Sequence, residues 1–217
     1  MIMKMKKSIV IFGSGGHGKV VLDILLCAQE KVLGFLDDDK TKAGQKICGC
    51  KVLGGWEYLK GKKNIVVALG IGNNLVREKI FERARSVKVP VACAIHPESI
   101  VSRFVRIGEG VVIMAGAVIN PGAILEEGVV VNTAASVDHD CHLKKFSHIW
   151  PGAHLAGTVT IGEYSYVGTG ASVIQNINIG KNALIGAGAA VVKDISDNVT
   201  AVGVPARALK KKMGSCD

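Results

Sequence analysis

The sequence predicts a two-part chain, α/β plus all-β: a small parallel α/β domain over residues 1–94, then a parallel β-solenoid over 95–217. Three observations carry this. An aliphatic side chain recurs at every sixth position from Ile107 to Val191 without a break. A glycine loop, Gly13-Ser14-Gly15-Gly16-His17-Gly18, stands between an apolar run and a helical pattern. The chain before the hexads is long enough for only half of a doubly wound sheet.

The elements follow in order. Residues 7–13 (KSIVIFG) read as a buried parallel strand, because the apolar run is continuous and does not alternate. The glycine loop then matches GxGxxG, and Val20, Val21, Ile24 and Leu25 mark a helix after it. A second strand, Val32 to Leu36, ends in Asp37-Asp38-Asp39. This is a Rossmann-like arrangement. Glycines admit a phosphate close to the backbone, the helix N-terminus favours an anion, and an acid after the second strand can accept bonds from a ribose or base. A third strand, Asn64 to Gly70, leads to Ile71-Gly72-Asn73-Asn74 and a helix to about Val87. A last strand, Val89 to Ala94, passes straight into the hexads. The domain is expected to bind one nucleotide at its strand C-termini.

A period of six fits neither a helix nor a simple strand. It fits a coil with three short flat sides, each side sending one aliphatic residue inward. Ile107, Ile113 and Ile119 close one such coil, and Val131, Val137 and Leu143 another. Two positions earlier the side chain is mostly small, as at Ala117, Ala135, Cys141 and Ala153, and Gly often fills the corners, as at Gly110, Gly116 and Gly122. The frame predicts roughly five coils of 18 residues, extends weakly back through Val101 and Ile95, and stops at Lys193-Asp194. The tail Val202 to Arg207 closes the stack.

Composition narrows the function. Net charge is +9, but the excess gathers at the termini (Lys4, Lys6, Lys7, Arg207, Lys210, Lys211, Lys212) and at Lys60, Lys62 and Lys63. Aromatic residues make up only 5%, too few stacking platforms for a nucleic-acid binder. A basic surface also suits anionic ligands such as nucleotide sugars and coenzyme A. The six cysteines have no CxxC pair and no framework spacing, which points to reduced thiols in the cytoplasm. The apolar run near the N-terminus breaks at Gly13, so it reads as a strand and not a signal peptide, and no run is long enough to insert in a membrane.

Polar residues in the hexads cluster at 132–148. His139 lies between Asp138 and Asp140. A carboxylate on one imidazole nitrogen fixes the tautomer and raises basicity at the other, as a general base requires. One coil on, position 157 is Gly157, whose backbone N–H could serve as an oxyanion donor beside His139. The histidines 139, 142, 148 and 154 fall at different coil positions and give no familiar metal-ligand set, so no metal is expected.

FGSGGHGKVV, FLDDD, IGNN and NTAASVDHDC followed by FSHIWPGAHLAG together resemble the bacterial nucleotide-4-amino-sugar N-acetyltransferases. These are hexapeptide-repeat enzymes of the left-handed β-helix class, and the sialic acid O-acetyltransferases form a related branch. The resemblance spans residues 7–209. It implies a left-handed coil, a homotrimer with sites between adjacent solenoids, and acetyl-CoA as cosubstrate. It assigns His139 as base, Asp140 as its orienting acid, Gly157 as oxyanion donor, and Asn132 and His148 as further catalytic positions. It places the nucleotide-linked amino sugar at Gly13, Ser14, Gly15, Gly16, His17, Gly18, Asp37, Asp38, Gly72, Asn73 and Asn74. It places the coenzyme at Gly157, Gly186, Ala187, Gly188 and Pro205. Two features depart from the pattern: Asp-His-Asp where Glu-His-Glu also occurs, and a bulky Trp150 after His148. The expected reaction is transfer of acetyl to the 4-amino group of a nucleotide-linked 4-amino-4,6-dideoxy sugar. The alternatives are O-acetylation of sialic acid or another sugar hydroxyl, and a non-catalytic nucleotide-sugar-binding scaffold.

Overall fold

The computed structural model describes residues 7–209; Lys4, Lys6, Lys210, Lys211, Lys212 and Cys216 lie outside them. The N-terminal part is a parallel sheet flanked by helices. Strand β1 (Ser8–Phe12) leads through the glycine loop to helix α1 (Gly16–Cys27) and β2 (Val32–Leu36). A short hairpin follows, β3 (Lys46–Ile47) with β4 (Cys50–Lys51), then β5 (Ile65–Leu69), α2 (Asn74–Ser86) and β6 (Val91–Ala92). The sheet order is β2-β1-β5-β6, all parallel. Val10, Ile11, Val67 and Ala68 are fully buried, which is why these strands read as unbroken apolar runs.

The solenoid begins at Ala94, whose strand pairs with Val112–Ile113. One face is the ladder through residues 94, 112, 130, 148, 166 and 184; the second runs through 100, 118, 136, 154, 172 and 190; the third through 106, 124, 142, 160 and 178. The first face continues to Thr200–Val202, so there are about six turns and not five. The last turn is two residues short: Leu184 pairs with Thr200 and Ile179 with Ile195. Hexad counting ends at Val191 for that reason, yet Ala201 still closes the core. Ile113, Val131, Ile149, Val167 and Ile185 stack inward at no exposure. Each such side chain contributes roughly 2 kcal/mol of burial.

The corners are equally regular. Every sixth residue from Gly110 to Gly188 has a left-handed backbone, with φ between 52° and 79°. Glycine holds many of these positions, but Ala134, Asp140, Phe146, Thr158 and Tyr164 hold others. Phe146 and Tyr164 accept the strain because their rings stack (centroids 6.1 Å apart, interplanar angle 2°) and Phe146 packs against Phe81 of α2.

The α/β domain seats on the first face. Val21, Leu22 and Leu25 of α1 join one apolar cluster with Ala94, Val112, Met114 and Val130. On the other side of the sheet, Ile80 and Phe81 of α2 join Phe146. Between them Arg77 is fully buried. Its Nε donates to the Gly128 carbonyl (2.8 Å) and its Nη2 to Phe146 O (3.0 Å) and Asn74 Oδ1 (2.7 Å). Its Nη1 donates to the carbonyls of Ile71 (3.2 Å) and Gly72 (3.1 Å). A buried guanidinium with every side occupied fixes one domain against the other.

Candidate active site

His139 sits at the corner that follows the second face. Asp138 before it accepts from Asn120 Nδ2, one coil below, at 2.7 Å, and from the His139 backbone N–H at 2.7 Å. Asp140 after it is a left-handed corner residue, φ 59°, a conformation that Asp tolerates. That backbone turn aims the carboxylate back at the imidazole: His139 Nδ1 and Asp140 Oδ2 are 2.9 Å apart. Gly122, one coil below, leaves room for this carboxylate, since a Cβ there would overlap Asp140 Oδ1. The Asp140 hydrogen bond raises the His139 pKa above its ordinary value, outweighing desolvation, and the charges of Asp138 and Asp140 add to the rise. Bonding at Nδ1 leaves Nε2 free of Asp140.

That nitrogen faces Gly157. A Cβ on Gly157 would lie 2.5 Å from both His139 Nε2 and Cε1. The ring therefore rests on bare backbone, which only glycine permits here. The rung bond from Thr158 N–H to the His139 carbonyl (2.9 Å) fixes the register between the two residues. Cys141 is buried with its thiol pKa raised by burial, so it is no nucleophile at this corner.

Asn132 and His148 form a second group at a different corner, across the flat strand Ser136–Val137 from His139. Asn132 Nδ2 and His148 Nε2 are 3.0 Å apart, and the Thr133 N–H holds Asn132 Oδ1 at 2.8 Å. So His148 Nε2 is the acceptor. His148 is buried (4% exposed) on the face that the α/β domain covers, with Trp150, Tyr166 and His17 around it at ring distances of 6.2, 6.1 and 5.9 Å. Burial, then the Arg77 charge, pulls the His148 pKa well below its ordinary value. The same two causes bring His17 down to about 4. Both rings are neutral at pH 7. Nε2 of His17 is buried and has no partner among the described residues.

His17 also borders the glycine-loop cleft. This cleft, about 400 Å³, is lined by Gly13, Ser14, Gly15, Gly16, His17, Asp37, Asp38 and Gly72, with Lys42 at its side. Asp37 accepts from the Ser14 hydroxyl and N–H, the Asp39 N–H and Lys42 Nζ. Burial pushes its pKa up, but these bonds outweigh it and bring it down to about 2. Gly18, Asn73 and Asn74 stand apart from the cleft. Gly18 lies against the Gly13 carbonyl with no space for a Cβ. Asn73 caps α2 by accepting from Val76 N–H (3.0 Å). Asn74 is buried in the domain joint, where its side chain donates to Tyr164 O (2.8 Å) and its backbone N–H to Tyr166 Oη (2.8 Å).

Gly186, Ala187 and Gly188 lie three coils above Asn132, Thr133 and Ala134, on that second corner, and Pro205 is exposed in the tail beyond them. Within one chain they do not meet His139. The histidines 142 and 154 are held elsewhere, by Glu126 (2.6 Å) and Ser136 (2.9 Å). Among the described residues the grouping able to offer three metal ligands is Asp23, Cys27 and His96, at the foot of the solenoid. There His96 Nδ1 already accepts the Glu98 N–H at 3.0 Å. No helix among these residues is long and apolar enough to cross a membrane. Sequence reading missed Arg77 and Tyr166. Arg77 carried a signal: it falls on the stripe with Ile80, Phe81 and Ala84, where a charge has no solvent.

Residues 8–84 match the PglD N-terminal domain. A UDP-N-acetylbacillosamine N-acetyltransferase of Bacillus subtilis is 39% identical over 50% of this chain, and the chain spans only about half (52%) of that relative's length. A GDP-perosamine N-acetyltransferase of Escherichia coli O157:H7 is 32% identical over 70% of this chain and 71% of its own length. The acetyltransferase domain of PglB from Neisseria gonorrhoeae, solved in complex with acetyl coenzyme A, superposes with a TM-score of 0.89 at 40% identity, covering 94% of this chain and all of that one. With the α/β domain, the solenoid and the His139 corner, these likenesses show that the chain belongs to the left-handed β-helix nucleotide-amino-sugar N-acetyltransferases.

Proposed function

We propose that the protein transfers the acetyl group of acetyl-CoA to the 4-amino group of a nucleotide-linked 4-amino-4,6-dideoxy sugar. The observation that carries this reading is the His139 corner: a base tuned by Asp140 at 2.9 Å, with its free nitrogen on the bare backbone of Gly157. The relatives' names favour an amine over a hydroxyl acceptor. The bound coenzyme supplies an activated thioester carbonyl. His139 Nε2 takes a proton as the sugar amine adds to that carbonyl and returns it to the leaving thiolate, so atoms and charge balance without a covalent enzyme step. The Gly157 N–H donates to the oxygen that gains charge. One and two coils above Ala156, Ile174 (42% exposed) and Val192 (38% exposed) offer an apolar lane along the same edge, suited to a pantetheine arm.

The glycine-loop cleft would hold the nucleotide, and His17, His148, Trp150 and Tyr166 would wall the sugar. His139 and the Asn132–His148 pair occupy different corners of one chain, so we propose a homotrimer in which neighbouring solenoids complete each site. The five described cysteines are free, as in a cytoplasmic protein.

Thiol release from acetyl-CoA tests this against UDP-, dTDP- and GDP-linked 4-amino-6-deoxy sugars, with free and CMP-linked sialic acid alongside. Turnover on an amino sugar is expected, lost about 10²–10⁴-fold in His139→Ala. Turnover on sialic acid alone would move the reaction to a hydroxyl, and nucleotide binding without turnover would leave a scaffold.

A further inference from the structure

The nucleotide cleft occupies the C-terminal ends of the parallel strands. The opposite edge of the sheet carries a second and larger concavity, about 820 Å³, which the proposed reaction does not use. Its floor is apolar: Trp56, Leu59, Val87 and Val89. Its rim is Lys60, Lys62, Lys63 and Lys88, all exposed, and none is paired with a carboxylate among the described residues. The carboxylate within the lining, Glu57, is turned to the Gly55 N–H at 2.9 Å. Lys7 stands at the same edge, because the Ser8 N–H bonds the Asn64 carbonyl at 3.0 Å. Four unneutralised ammonium groups around an apolar floor form a surface complementary to something both acidic and apolar.

We infer that this groove docks an acidic segment of a partner protein, with an apolar side chain seated on the Trp56–Leu59–Val87 floor and Asp or Glu residues against the lysines. The form of the site favours a peptide over the other polyanions. A single strand of nucleic acid needs open aromatic faces, and the Trp56 ring is taken by Arg83 (4.6 Å) and Phe12 (5.4 Å). A bilayer needs several protruding apolar residues, whereas Val87 alone of this floor is exposed, Trp56 and Val89 being half-buried and Leu59 buried. A small phosphate needs donors that converge, whereas these lysines ring a wide opening.

The test is fluorescence anisotropy of a labelled peptide of about twelve residues, Asp and Glu around a central Leu-Phe pair. Saturable one-to-one binding is expected. It should weaken about tenfold or more in Lys60→Glu/Lys63→Glu/Lys88→Glu, and about tenfold when Ser-Ser replaces Leu-Phe. Lys60→Gln/Lys63→Gln/Lys88→Gln should give a smaller loss in the same direction. Thermal midpoint and acetyl-transfer rate should be unchanged in both variants, since the lysines lie outside the site. No saturable binding, or binding indifferent to the lysine changes, would overturn the inference. So would equal affinity for the Ser-Ser peptide, or tighter binding to vesicles of phosphatidylcholine and phosphatidylglycerol than to the peptide.

Discussion

Replacing Gly157 by Ala tests the reacting corner with a single methyl group. Gly157 lacks a left-handed backbone, so Ala adds no strain of its own. The new Cβ would sit 2.5 Å from His139 Nε2 and Cε1. Ordinary carbon contacts need about 3.5 Å, so the ring must retreat by roughly 1 Å. The side chain is 59% exposed and can swing outward, so the fold loses little. The chemistry loses more: a misplacement of this size costs about a hundredfold in rate. The Gly157 N–H itself is retained. Steady-state thiol release should therefore show kcat down about a hundredfold, the KM for the nucleotide sugar nearly unchanged, and the thermal midpoint within a degree or two of the parent. The double variant with His139→Ala should be no slower than His139→Ala alone, because both changes act through one ring. A normal kcat in Gly157→Ala, or additive losses in the double variant, would refute the placement of the base.

Further outcomes follow from the same geometry. His139 must be neutral to accept a proton, and its pKa is raised chiefly by Asp140, so the acid limb of kcat/KM should fall above the ordinary histidine range. Asp140→Asn should move that limb to lower pH while lowering the plateau, read from a pH–rate profile. Arg77→Met leaves the Gly128 and Phe146 carbonyls buried without their donor and should cost about 3–5 kcal/mol in thermal or denaturant unfolding. Asp37 has a folded pKa of about 2 against an ordinary 3.8, so its contribution is present above pH 4 and is lost as pH falls toward 2. Asp37→Asn should therefore be about 1–2 kcal/mol less stable than the parent at neutral pH, with the gap closing near pH 2.

How much of this was legible in the sequence depended on how far apart interacting residues lie. The hexads were plain because every sixth side chain points at one axis, so spacing alone samples the core. The His139 dyad was plain because its partner is the next residue. Gly157 could be found by adding one coil length. The Asn132–His148 contact is two residues short of a full coil, and no periodicity reports it. The aromatic corners at Phe146 and Tyr164 break the glycine rule because the second domain rests on them, a tertiary demand invisible in the repeat. Asn73 and Asn74 read as a ligand motif, yet one caps a helix and the other bonds across the domain joint. Either job uses the same amide chemistry as a nucleotide would, so residue type could not separate them.

The rung between His139 and Gly157 has a consequence for how such a site can vary. Their separation is set by the hydrogen-bonded spacing of parallel strands, about 4.8 Å, which no side-chain substitution alters. The solenoid thus acts as a ruler ruled by its own backbone. Substitutions in the glycine-loop cleft, or at Trp150 and Tyr166, can reshape what is held there while the backbone spacing of residues 139 and 157 stays constant. Pocket shape and rung spacing are thus set on separate scales, one by residue choice and the other by the backbone ladder.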